Sequence, residues 1–158
     1  MNASNPQDNA GPLKGVKVVD LTLALAGPTC TMILADMGAE TIKVEQPPRR
    51  EERRPAESSK PLHPQFTDRN KKSVTLDLRS EKGKDMFTAL IKWADVMVEN
   101  FRPGYMARVG FDYPAMQKIN PRVILTSISG YGQTGPYAQR AAFDSVGQAM
   151  GGLMSVTG

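Results

Sequence analysis

Three arginines, Arg79, Arg102 and Arg108, follow short runs of β-branched and apolar residues. A guanidinium at the turn after a strand can make charge-assisted hydrogen bonds to phosphate oxygens. Taken singly, each is more simply an ordinary solvated arginine. Gly130-Tyr131-Gly132-Gln133-Thr134-Gly135 has the spacing of a dinucleotide fingerprint and follows a predicted strand. Pro136 comes at once, however, and no Asp or Glu occurs after Asp144, so the acidic partner of a ribose, expected about 20 residues on, is missing. A glycine-rich turn accounts for the stretch better than a nicotinamide site does. Cys30 lies near the start of a predicted helix, where the dipole can activate a thiol. The only histidine, His63, sits in a proline-rich stretch away from it, so a small buried cysteine is the simpler reading. One Cys and one His are too few soft ligands for a structural zinc, and no metal is expected.

These residues need elements to position them. Val16–Thr22 is β-branched and ends in polar residues, which predicts a buried strand; Gly27-Pro28 then opens a helix that Gly38 stops. Thr41–Val44 begins a second strand, Ser73–Leu78 a third, Val96–Phe101 a fourth and Val123–Ile128 a fifth. Between them Ser80 can N-cap a helix whose Met86, Leu90, Ile91 and Ala94 share a face, and Asp112 can cap a short helix that Asn120-Pro121 ends. Alternating strands and helices predict an α/β domain with a mainly parallel sheet, and its ligands belong beyond the carboxyl ends of the strands. Those ends are Thr22–Gly27, Asp77–Arg79, Asn100–Gly104 and Ser129–Gly135.

The length of 158 residues suits one domain, and the first ten residues read as a disordered polar leader. No apolar run approaches the roughly 20 residues that span a bilayer, and the first residues lack the apolar stretch of a signal peptide. A cytoplasmic protein with no membrane partner is expected. The net charge of +4 is concentrated between Gln46 and Lys72, where eight Arg or Lys face four Asp or Glu. Such a segment attracts an anionic partner. Its only aromatic residue is Phe66, which speaks against base stacking and hence against nucleic acid. The pairs Arg49-Arg50 and Arg53-Arg54 interleave with Glu51 and Glu52, which is as consistent with self-neutralising loop charge as with phosphate binding.

Leu13–Thr22, Ala26-Gly27-Pro28, Asp36–Glu40, Ile42–Glu45, Asn70–Ser73, Leu76-Asp77-Leu78, Ala94–Gly104, Asn120-Pro121-Arg122, Ser129–Pro136 and Gln148–Gly152, taken together, resemble the opening of class III CoA-transferases. The resemblance implies a Rossmann-like large domain of which residues 11–158 are the N-terminal part, incomplete in this chain, with interlocked homodimers when full length. It implies acyl-CoA and carboxylic acid substrates, with coenzyme A carried through an aspartyl anhydride and an aspartyl thioester. By position it implies CoA contacts at Ala24 and Leu25, at Leu76, Asp77, Leu78 and Arg79, at Asn100, Phe101 and Arg102, at Arg108, and in the turn Ala141–Asp144, which includes Phe143 and Asp144. Gln46 and Ala141 stand where formyl-CoA transferase has basic residues. The nucleophilic aspartate is expected beyond Gly158, so the 158-residue chain alone is expected to be inactive. The α-methylacyl-CoA racemase branch is similar, but it has a histidine where this chain has Phe143. Without that acid–base group the transferase is the stronger expectation; a racemase-like enzyme and a non-catalytic CoA-binding fragment are the alternatives.

Overall fold

The structure, a computed structural model, describes residues 11–47 and 66–157. The polar leader, His63, Arg49-Arg50 and Arg53-Arg54 lie outside the described residues. Along the chain come β1 (Lys17–Asp20), α1 (Ala26–Asp36), β2 (Glu40–Glu45), β3 (Lys71–Thr75), α2 (Glu81–Trp93), β4 (Val96–Glu99), α3 (Tyr105–Arg108), α4 (Tyr113–Ile119), β5 (Ile124–Ser127), α5 (Asp144–Met150) and α6 (Met154–Thr157). The strands form one sheet in the order β3-β2-β1-β4-β5. Every pairing is parallel, with Val19 beside Ile42 and Met97, and Val98 beside Thr126.

The two-residue period of a strand sends neighbouring side chains to opposite faces, and both faces here are covered. Val19 and Met97 meet Phe87 and Ile91 of α2, Met116 of α4, and Leu76, Leu78 and Phe111. Phe87 and Phe111 pack T-shaped, with ring centroids 4.7 Å apart. On the other face Val18, Ala39 and Val98 pack with the partly buried Leu34 and Cys30 of α1, so Cys30 serves as a small apolar residue. Helix α1 can lie close because Gly27, Thr31 and Ala35 recur on its buried side. A Cβ on Gly27 would stand 2.4 Å from Thr22 Cβ.

Local chemistry sets the ends of the elements. Ser80 caps α2 by accepting from the Gly83 N–H, Asp112 caps α4 by accepting from Ala115, and Asn120 donates to the last carbonyls of α2 at Ile91 and Ala94. Four strands end earlier than the runs predict, β1 at Asp20 rather than Thr22, β5 at Ser127 rather than Ile128, and β3 and β4 for reasons of local hydrogen bonding. β4 stops at Glu99 because the Phe101 N–H turns back to the Glu99 carboxylate, 2.8 Å away. β3 runs from Lys71 to Thr75, where Ser73–Leu78 was expected, since Asp77 leaves the ladder and its carbonyl accepts from Ser80 in the turn into α2. The strand order reverses between β1 and β4, so the crevice of this doubly wound fold opens beyond Asp20 and Glu99.

Candidate functional site

One wall of the crevice is the turn from Leu21 to Leu25. Beneath it Asp20 is fully buried, and a buried carboxylate must be paired and hydrogen-bonded. One of its oxygens accepts from the N–H and hydroxyl of Thr22; the other accepts from Thr31 at 2.7 Å and from Lys71 at 2.8 Å. The Lys71 ammonium, on a side chain only 1% exposed, also donates to Pro28 O and Thr31 Oγ1. All three of its donors are satisfied, and three separate segments meet there. From the far side Asn100 accepts from Leu23 N–H at 2.8 Å and donates to Leu23 O at 2.7 Å. Between these supports Ala24 adopts φ 62°, a left-handed conformation uncommon outside glycine. Leu25 stands at the N-terminus of α1, which no side chain caps.

The second wall is built around Tyr105. Its ring lies 4.3 Å from that of Phe101, the Arg108 guanidinium sits 5.7 Å from its centroid, and its hydroxyl accepts from Gln46 Nε2 at 2.7 Å. Arg79 follows β3 and donates from Nε to the Asp77 carboxylate, and that hydrogen bond holds its guanidinium pKa above the ordinary value. Reciprocally, Arg79 holds the Asp77 carboxyl below the usual carboxylate range, and the two charges are 3.0 Å apart. One phenol ring thus gathers residues that follow β2 and β4, with the Arg108 cation over its face.

The predicted site residues divide accordingly. Phe101 and Arg108 converge on Tyr105, Gln46 joins them through its amide, and Arg79 is held apart from them by Asp77 at 3.0 Å. Arg108 stands at the end of helix α3, not at a strand end as the sequence suggested, because Gly104 at φ 84° turns the chain into a helix there. Leu76 and Leu78 point into the core, so only their main chain can meet a ligand. Arg102 lines a cavity of about 210 Å³ with Glu99, Tyr113, Ser127 and Gln133. Phe143 is 81% exposed, and Asp144, in the first turn of α5, accepts from Gln148. The glycine run from Gly130 to Gly135 opens no helix, and a Cβ on Gly130 would meet Ala142 Cβ at 2.2 Å, which makes it a tight turn. Sequence reasoning passed over Tyr105, Asp20 and Lys71. An aromatic between two arginines after a strand, and an Asp closing a β-branched run, were the available signals.

This fold and crevice belong to a known family: the profile of CoA-transferase family III matches residues 13–158. The chain is 45% identical to acetyl-CoA:oxalate CoA-transferase of Acetobacter aceti, over 100% of this chain and 41% of that protein. It is 43% identical to human succinyl-CoA:glutarate CoA-transferase, over 96% of this chain and 35% of that protein. A CAIB/BAIF family protein from Brucella suis superposes with a TM-score of 0.83 at 41% identity, covering 94% of this chain and 41% of that one. The chain is therefore a member of CoA-transferase family III, and it spans about two fifths of the length of the curated relatives it matches.

Proposed function

We propose that the whole protein moves coenzyme A from an acyl-CoA donor to a carboxylic acid, and that this chain carries the nucleotide end of the site. The observation that carries this reading is the Tyr105 ring, with Phe101 packed on it and the Arg108 guanidinium 5.7 Å from its centroid, while Arg79 is anchored on Asp77 in the turn after β3. Two guanidiniums suit phosphates, and the ring offers a face to a base. Ala24, Leu25, Phe101 and the main chain of Leu76–Leu78 border the nucleotide in this reading, with Asn100 behind the Leu23–Leu25 turn and Asp77 steadying Arg79. Arg102, Phe143 and Asp144 extend the contact surface. In the same reading an aspartate beyond Gly158 attacks the thioester carbonyl, and CoA leaves as the thiolate to give a mixed anhydride. The thiolate then attacks the aspartyl carbonyl and expels the donor's acid, leaving an aspartyl thioester for the acceptor carboxylate. Residues 11–158 are the N-terminal part of the large domain, and the whole protein is a cytoplasmic interlocked homodimer.

Calorimetric titration of the whole protein with CoA and with NAD tests the reading. CoA is expected to bind and NAD not to; tight NAD binding without CoA binding overturns it. Arg108→Ala is expected to weaken CoA binding by about 1.5–3 kcal/mol, the range for hydrogen bonds to charged groups.

A further inference from the structure

We propose that Asn100 is a positioning residue, a peptide-like clamp that holds the turn Leu23–Leu25 across the crevice, rather than a group that grips the nucleotide. The inference rests on the CoA-binding reading for its effect on affinity, but the clamp itself stands on geometry.

A carboxamide offers one acceptor and a donor side by side, as a peptide unit does. Asn100 turns both toward one residue, accepting from Leu23 N–H at 2.8 Å and donating to Leu23 O at 2.7 Å. This complementarity also fixes which atom is oxygen and which nitrogen. Main-chain pairing between the two central strands ends just before, where Leu21 N–H donates to Val98 O at 2.8 Å. The Asn100 side chain carries that ladder one step further, between residues 77 apart in sequence.

The step matters because of what lies on either side of it. Thr22 is fixed from below, since the same Asp20 oxygen accepts its N–H and its hydroxyl. Ala24 is in the left-handed region, where a residue with a Cβ persists only if its surroundings hold it. With Asn100 gone, Leu23 loses both main-chain partners, and Ala24 is free to return to ordinary φ. The turn then loses the shape it presents before the N-terminus of α1. A residue acting this way governs affinity through the turn, before any ligand arrives.

Hydrogen exchange on the ligand-free whole protein, read on peptides spanning residues 22–26 and 17–20, tests this beside CoA titration. In Asn100→Ala, exchange at the turn is expected to rise about tenfold while β1 keeps its protection, and the CoA dissociation constant to rise about tenfold, the change matching one hydrogen bond of ordinary net strength. Asn100→Asp is nearly isosteric and keeps the acceptor for Leu23 N–H but loses the donor to Leu23 O. It is expected to show a smaller rise at the turn, and it serves if the alanine variant folds poorly. Lost CoA affinity with unchanged exchange at the turn would make Asn100 a direct ligand contact and overturn the proposal. So would a loosened turn with unchanged affinity, or a rise spread equally over β1. If the unaltered protein does not bind CoA, the transferase reading fails, and the exchange measurement still decides whether the clamp exists.

Discussion

The chain from Lys17 to Glu99 and the chain from Asp144 to Thr157 are built on opposite terms. In the first, strands and helices bury Val18, Val19, Phe87, Ile91 and Met97 completely, and even its charges, Asp20 and the Lys71 side chain, are enclosed. In the second, α5 and α6 bury no residue at all, and Met150, Leu153 and Val156 are exposed. Both regions are apolar enough to fold against something, yet only one has its partner within the described residues. Apolar surface left in water forgoes roughly 25 cal/mol per Å². Composition therefore does not separate the two regions; the presence of a facing layer does.

The contrast can be broken most forcefully at the buried ion pair. Lys71→Met leaves the Asp20 carboxylate enclosed without its cation, and a loss of about 3–5 kcal/mol is expected in a urea titration. A loss below about 1 kcal/mol would mean that the carboxylate reaches water, and the first region would not be sealed. At the apolar core, Phe87→Ala removes a ring held by Phe111 and is expected to cost about 3–5 kcal/mol, whereas Phe143→Ser should stay within about 0.5 kcal/mol in the 158-residue chain. Equal losses at the two phenylalanines would erase the comparison. The smallest effect concerns Asp36, whose carboxyl is held below its ordinary pKa, chiefly by the hydrogen bond from Arg69. A depressed carboxyl contributes stability that is present above its unfolded pKa of about 3.9 and lost as pH falls through the folded value. The gap in thermal midpoint between the chain and Asp36→Asn should accordingly be positive at pH 6 and shrink toward zero in the acid range. A gap that grows on acidification would contradict the assigned pair.

How much of this could be read in advance follows the same division. β1, α1 and β2 were legible because Val16–Thr22 is a β-branched run and Gly27-Pro28 marks the helix start. Caps at Ser80 and Asp112 were legible because capping is local chemistry. The start of β3 was not, since Lys71 pairs with Thr41 of β2 and its ammonium is enclosed on Asp20, 51 residues away, neither of which any periodicity reveals. Helices α3 and α6, of four residues each, are too short to show a period. For the site, the resemblance named Arg79, Phe101 and Arg108, but Tyr105 emerges as the common neighbour of the last two, and of Gln46, only when the ends of β2 and β4 are brought together. Asn100 was legible as a strand-end residue, while its attachment to Leu23 depends on the meeting of two loops.

The strand order has one more consequence, which concerns growth. β3 and β5 each leave one flank of the sheet without a neighbour among the described strands. Along β3 the Lys72 side chain is exposed, and charge on an outer strand discourages further pairing. β5 reads Ile-Leu-Thr-Ser with no charge, and Ile124 is 60% exposed. Among the described strands, the sheet thus has one margin that carries an exposed charge and one that carries none.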